Sequence, residues 1–97
     1  MNTYYYDKYN GKKWVQGTIV AKNINNARLR LLNEDHLKNG ILIKKKTGDA
    51  PGAPFKELGI LRAVQNGEVN WANKKGMYRV SKKTGALLDW DKYWRYV

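Results

Sequence analysis

The sequence has no cysteine, a single histidine, only two prolines and no long apolar segment. Without cysteine, neither a disulfide nor a thiolate metal site can form. No apolar run approaches the roughly 18 residues of a membrane-spanning helix, and the N-terminus lacks the basic and then apolar pattern of a secretory signal. We therefore expect a cytoplasmic protein that has no membrane partner.

Acidic residues are scarce. Eight aspartates and glutamates stand against nineteen lysines and arginines, which gives a formal net charge of +11. A small domain with this balance is expected to associate with polyanions, most often nucleic acid, although a charge kept for solubility or an acidic protein partner would produce the same composition. Fourteen of the nineteen cations are lysines, which bind phosphate as point charges, whereas arginine supplies the fork that reads guanine. The balance favours backbone binding with low sequence specificity.

Groups that catalysis requires are also few. A nucleophile, a general base or a metal site needs several convergent side chains, and His36 stands in a polar run where exposure to solvent explains it. Asp89 and Asp91 could share one face of a strand, but no third metal ligand is near them in the sequence. The segment 48–52 lacks the Lys-Ser/Thr pair and the helix that follow a phosphate-binding loop. The sequence therefore predicts a non-enzymatic protein with no catalytic residue, no metal and no cofactor.

The segment from Trp14 to Lys46 organises the chain, because its pattern predicts a strand, a helix and a second strand in that order. Ile24, Ala27 and Leu31 lie at i, i+3 and i+7, which is one apolar stripe of a helix. Asn23 or Asn25 can cap the first turn, and Gly40 can end the helix in a left-handed conformation. Arg28 and Asp35 fall on the same arc as the stripe, so the helix could break near Asn33.

The N-terminal segment predicts a β-hairpin. Residues 2–9 alternate as a strand, and Asn10-Gly11 is the strongest short signal for a two-residue turn. Such a turn places Tyr6 opposite Val15 and Tyr5 opposite Gln16. Gly17 would let a helix or an aromatic ring approach the sheet closely. The predicted core face carries Tyr4, Tyr6, Val15, Ile19 and Ala21, and the opposite face carries Tyr5, Asp7, Tyr9, Trp14, Gln16 and Thr18.

The second half of the chain is less clear. Residues 54–67 fit a helix that starts at Pro54 and ends at Asn66-Gly67, although Gly59 weakens it by about 1 kcal/mol. The same residues fit a strand that turns at Asn66-Gly67 toward Val69, and we favour the helix. Residues 77–81 and 86–90 predict two more strands, joined by a tight turn at Lys82–Gly85.

A helix followed by a strand pair with a Lys-Lys-Thr-Gly tip resembles the last helix and wing of winged-helix DNA-binding proteins. The resemblance covers about forty residues and lacks a preceding helix-turn-helix, because residues 41–54 read as strand and loop. The whole pattern predicts an α+β fold in a single domain of residues 1–97. It would contain a ββαβ unit at 1–46 and a helix-plus-hairpin unit at 54–97, with a hairpin as the alternative to the second helix.

Four predicted turns, at 10–13, 45–48, 73–76 and 82–85, carry a pair of lysines, and aromatic residues cluster beside them. Aromatic rings next to lysines on a strand surface are typical of single-stranded nucleic-acid binding, although Tyr and Trp also fill small cores. We therefore expect a basic protein that binds DNA or RNA. The alternative is an interaction module or inhibitor, similar in size and charge to phage accessory proteins, that binds an acidic or nucleic-acid-binding protein. The predicted nucleic-acid-binding residues are Tyr5, Tyr9, Lys12, Lys13, Trp14, Lys44, Lys45, Lys46, Lys74, Lys75, Arg79, Lys82 and Lys83.

Overall fold

The computed structural model describes residues 1–33, 37–64 and 67–88. Within these residues, the alternating and helical patterns of the sequence become six strands, one α-helix and a short 3-10 helix at Leu37–Asn39. The strands are β1 (Asn2–Tyr9), β2 (Trp14–Ala21), β3 (Ile41–Lys46), β4 (Phe55–Ala63), β5 (Val69–Asn73) and β6 (Gly76–Arg79), and the α-helix is α1 (Ile24–Leu31).

All six strands form one antiparallel sheet in the order β2-β1-β3-β4-β5-β6. Helix α1 connects β2 to β3, which lie on either side of β1, so this connection crosses β1 on one side of the sheet. The result is a small α+β domain dominated by its sheet, with more strand than the sequence predicts. Within the described residues, no helix is long and apolar enough to span a membrane.

The first hairpin forms with a different register from the predicted one. Tyr9 pairs with Trp14 and Tyr6 with Gly17, so the loop has four residues, Asn10–Lys13, rather than two. The Asn10 side chain explains this, because its Oδ1 accepts from both Lys12 N and Lys13 N at 2.9 Å and closes the longer loop. The pairing slips by two residues, and a slip of two leaves every side chain on its predicted face.

Helix α1 follows the predicted pattern. Asn23 caps it, since its Oδ1 accepts from Asn26 N at 2.9 Å. The helix ends at Leu31, before Asn33, and Gly40 (φ 87°) instead follows the 3-10 helix. Ala27 and Leu31 are buried against the sheet as expected. Because only eight residues are helical, most of the α-helix's stability comes from this packing.

Residues 55–63 form strand β4, so the predicted helix at 54–67 is wrong and the hairpin alternative is right. Leu61 pairs with Trp71 across the β4–β5 hairpin. Gly59 is the reason that a strand fits here, because a β-carbon at this position would overlap the Trp71 ring. The resemblance to winged-helix proteins fails with the helix, since the segment that would be the recognition helix is a central strand.

The tight turn at Lys82–Gly85 lies on the helix side of the sheet. Gly85 has φ 77°, as predicted, and its backbone abuts α1. The predicted strand at 77–81 is shorter than expected, since β6 ends at Arg79. Of the predicted strand at 86–90, the described residues form an isolated bridge between Val80 and Leu87. Predictions made for residues 34–36, 65–66 and 89–97, including those for His36, Asp89 and Asp91, lie outside the described residues.

The two sides of the sheet differ in which elements pack on them. Helix α1, the 3-10 helix and the turn at Lys82–Gly85 all pack on one side, which we call the helix face. Its fully buried side chains are large and apolar, as in Leu31, Ile41, Ile43, Leu61 and Trp71. On the other side, called the open face, no described element packs. The open face carries Tyr5, Asp7, Tyr9, Trp14, Gln16, Thr18, Val20, Leu42, Lys44, Lys46, Phe55, Glu57, Ile60, Arg62 and Arg79.

Candidate nucleic-acid interface

The open face holds two aromatic pairs. In the first, the rings of Tyr5 on β1 and Phe55 on β4 meet above the intervening strand β3, with centroids 5.1 Å apart and planes at 73°. This edge-to-face contact is a favoured geometry for aromatic pairs. Phe55 is nevertheless 41% exposed. The pair is therefore fixed by contact between its two rings while part of its surface remains in water.

A β-bulge places Phe55 on this face. Phe55 and Ile60 are five residues apart, so regular alternation would put them on opposite sides of the sheet. The register between β3 and β4 shifts at Ile43/Lys44, where β4 contains one extra residue. The extra residue restores Phe55 and Ile60 to the same face. Phe55 was missed as a candidate site residue because residues 54–67 were predicted to form a helix, and strand alternation alone does not indicate this bulge.

Lysines of β3 lie directly beside this aromatic pair. Lys44 Nζ is 4.7 Å from the Phe55 centroid, and Lys46 Nζ is 5.6 Å from the Tyr5 centroid and 5.9 Å from that of Phe55. All three distances are within cation–π range. Asp7 forms a salt bridge to Lys44 at 2.7 Å, and exposed Glu57 is opposite Lys44 on β4. Lys46 therefore supplies the first pair with a cation that forms no salt bridge within the described residues.

The second aromatic pair is at the tip of the first hairpin. The ring centroids of Tyr9 and Trp14 are 5.5 Å apart, with planes at 57°. Trp14 is 64% exposed, and the lysines of the adjoining loop, Lys12 and Lys13, are exposed too. Tyr5 and Tyr9 are four residues apart on β1, which is roughly 13 Å along a strand. The two ring pairs therefore lie on the same face, one in the middle of β1 and one at its hairpin end.

The other predicted basic residues are elsewhere. Lys45 points to the helix face, where its Nζ is 5.7 Å from the Tyr4 centroid and 3.3 Å from Asn2 Oδ1. The turn with Lys74 and Lys75 is at the opposite end of the sheet from the Asn10–Lys13 loop, because β5 runs antiparallel to β1.

Arg79 and the pair Lys82 and Lys83 are also away from the aromatic pairs. The width of the sheet separates Arg79 from them, and the thickness of the sheet separates the two lysines. Arg79 is on the open face, but it is on edge strand β6 and 3.9 Å from Glu68 Oε1. Lys82 and Lys83 are on the helix side, where the following Gly85 contacts α1. The structure thus brings together Tyr5, Tyr9, Lys12, Lys13, Trp14, Lys44 and Lys46, and it separates Lys45, Lys74, Lys75, Arg79, Lys82 and Lys83 from them.

Arg62 is a basic residue of the open face that the sequence pattern did not single out. It is exposed on β4, one pleat beyond Ile60, and opposite Asn70 on β5. The predicted helix at 54–67 assigned Arg62 to a helix surface, so Arg62 was not recognised as a residue of the sheet. Alternation of Ile60, Arg62 and Val64 was the available signal for it.

The described residues contain no cluster of three histidine, cysteine, aspartate or glutamate side chains that could hold a metal ion. The chemistry that the open face offers is noncovalent: ring stacking, ammonium groups and a few apolar contacts. Comparison with known protein families, with curated proteins and with solved structures finds no match to this chain.

Proposed function

We propose that this chain is a non-enzymatic nucleic-acid-binding protein that binds single-stranded DNA or RNA on the open face of its sheet, with low sequence specificity. The observation that carries the proposal is the pair of half-exposed aromatic contacts, Tyr5–Phe55 and Tyr9–Trp14, each with lysines beside it. Every base has a π-face, so stacking on such rings tolerates any sequence. Lysine contributes phosphate contacts without reading bases.

A single strand suits this face better than a duplex. The rings lie on a sheet surface, and bases can stack on them only when the bases are free of their own helix. Four open-face or tip cations form no salt bridge within the described residues: Lys12, Lys13, Lys46 and Arg62. If all four contact phosphates, the plot of log binding constant against log salt should have a slope of about −3 on a single strand.

The direct test measures fluorescence anisotropy of random-sequence single- and double-stranded oligonucleotides at several salt concentrations. Lys12→Ala with Lys46→Ala removes two charges from the proposed site, and Lys82→Ala with Lys83→Ala removes two from the helix side. We expect the first double variant to lower the salt slope by about 1.4 on a single strand and the second to leave it nearly unchanged. If the two variants had equal effects, the binding site would not be on the open face. If no binding were detected at low salt, the nucleic-acid proposal would be wrong.

The competing proposal is a protein-interaction module. Val20 and Ile60 are also exposed on the open face, 49% and 39% respectively, and aliphatic side chains add little to base stacking but much to a protein interface. An acidic or nucleic-acid-binding protein would then be the partner. Ile60→Ala separates the two functions, because it should matter to a protein partner and be nearly neutral for a single strand.

A further inference from the structure

The two edges of the sheet are not alike. Strand β6 has four residues, and the returning chain meets its outer side, where Leu88 N donates to the Arg79 carbonyl at 2.7 Å. Strand β2 has eight residues, and within the described residues no strand pairs with its outer side. It has no charged residue, no proline and no bulge, which are the usual features that protect an edge strand from pairing.

Alternate residues of β2 turn their backbone groups outward. Arg30 Nη1 donates to the carbonyl of Val20, so this carbonyl points away from β1. Backbone groups alternate in direction along a strand, and Thr18, Gln16 and Trp14 therefore present theirs on the same side. The outer edge is a row of donors and acceptors, and the Val20 carbonyl at one end keeps a second lone pair beside the bond it accepts from Arg30.

We propose that β2 pairs antiparallel with β2 of a second copy of this chain, which joins two sheets into one. The open faces of the two copies lie on the same side, and the outward backbone groups of the two β2 strands form hydrogen bonds. In the register centred on Gly17, Trp14 is then opposite Val20 of the second copy. Gln16 is then opposite Thr18, and Gly17 faces its own counterpart on the two-fold axis. The edge is self-complementary in this register, since each exposed open-face side chain of β2 meets another.

The cross-strand neighbours explain why a second copy fits. Trp14 and Val20 are the two most exposed large apolar residues within the strands, 64% and 49%, and an aromatic ring opposite a β-branched side chain is a stabilising pair. On the helix face, half-buried Val15 meets Ile19.

Two copies with a net charge of +11 each repel one another. Strand β2 adds no charge of its own, but the register brings exposed Lys12 toward exposed Lys22 of the second copy. Salt should therefore strengthen dimerisation while it weakens nucleic-acid binding.

Sedimentation velocity over a range of protein concentrations, on protein freed of nucleic acid, tests the pairing. We expect a monomer–dimer equilibrium that shifts toward dimer at high salt. Gln16→Lys with Thr18→Lys would place lysines directly opposite one another, so the dimer dissociation constant should rise by about tenfold or more. The control, Asn33→Lys with Ala50→Lys, adds the same charge at exposed positions away from β2 and should leave dimerisation nearly unchanged. A monomer under every condition, or equal loss in both variants, would overturn the proposal.

Disulfide cross-linking tests the register. Because the protein has no cysteine of its own, only the introduced cysteines can react. Chains with Gln16→Cys and chains with Thr18→Cys are mixed and mildly oxidised. In the proposed register the two positions face each other at a Cα separation of about 5.5 Å, which a disulfide can span. We expect the mixed dimer to form faster than either homodimer. Equal cross-linking of all three, or preference for a homodimer, would overturn this register.

Discussion

The guanidinium carbon of Arg28 lies 4.8 Å from the centroid of the Trp71 ring, and both side chains are buried. Arg28 Nε donates to the Gly85 carbonyl at 2.8 Å, and Nη2 donates to Asn25 Oδ1. Within the described residues, no carboxylate forms a salt bridge with this guanidinium. Burial lowers the pKa of Arg28 to about 10, because desolvation disfavours the charged form, and Tyr4 acts in the opposite direction. The charge thus opposes folding while the hydrogen bonds and ring contact favour it.

The two opposing effects predict an order of stability among variants at Arg28. Arg28→Met removes the charge but leaves the Gly85 carbonyl without its donor, which should cost about 1 to 3 kcal/mol. Arg28→Lys keeps a buried charge that is more strongly hydrated and lacks the planar contact, so it should be the less stable variant. Urea unfolding measures both. Exposed Arg30→Met serves as the control, with an expected change within about 0.5 kcal/mol. A lysine variant at least as stable as the methionine variant would show that burying the charge costs little.

Gly17 should not tolerate a side chain. A β-carbon there would overlap the Tyr6 ring, which lies across the hairpin from Gly17. Gly17→Ala should therefore cost about 1 to 3 kcal/mol in the free energy of unfolding. Gly48→Ala is the matched control, because nothing lies within 4 Å of its β-carbon position and its backbone has no positive φ. A thermal melt that is equally shifted in both variants would contradict the proposed role of the ring contact.

How far the sequence predicts the fold depends on whether local or distant contacts decide an element. Strand β1, helix α1 and its Asn23 cap follow from periodicity and capping chemistry, both of which are local. The faces of the first hairpin were right although its register was wrong, because the slip was of two residues.

Strand β4 was predicted as a helix, because Pro54 at the first position and an apolar side with Leu61 and Val64 fit one locally. Gly59 was taken as a weak position within that helix. Its actual reason is the Trp71 ring, twelve residues away.

In the candidate site too, local sequence patterns predict some residues, while distant contacts decide the others. Tyr5, Tyr9 and Trp14 were assigned to a common face by strand alternation, and the structure places them there. Phe55 joins them through a bulge that alternation does not indicate. Lysine pairs predict exposed turns but say nothing about which end or side of the sheet a turn occupies. That is why Lys82 and Lys83, on the helix side, were grouped with lysines of the open face.

Asp7 should limit the affinity of the open face for anions. Its Oδ2 is 2.7 Å from Lys44 Nζ, so it neutralises a cation beside the Tyr5–Phe55 pair. Asp7→Asn should strengthen single-strand binding and steepen the salt slope by about 0.7, which corresponds to one more phosphate contact. Glu68→Gln makes the same charge change beside Arg79, away from the aromatic pairs, and we expect a smaller effect there. If both variants strengthened binding equally, net charge rather than the local site would be responsible.

Substitution of Trp14 distinguishes most directly between a surface on which bases stack and a packed core. Because its side chain is 64% exposed, Trp14→Ala should change the free energy of unfolding by less than about 1 kcal/mol. If a base stacks on the ring, the same substitution should weaken single-strand binding about tenfold or more, since each stacked base contributes roughly 1 to 3 kcal/mol. Phe55→Ala should act similarly from β4, away from the proposed dimer edge. Ile60→Ala is the matched apolar truncation on the same face, and binding should hardly change. Loss of stability by several kcal/mol with unchanged binding by the folded protein would instead identify Trp14 as part of a core.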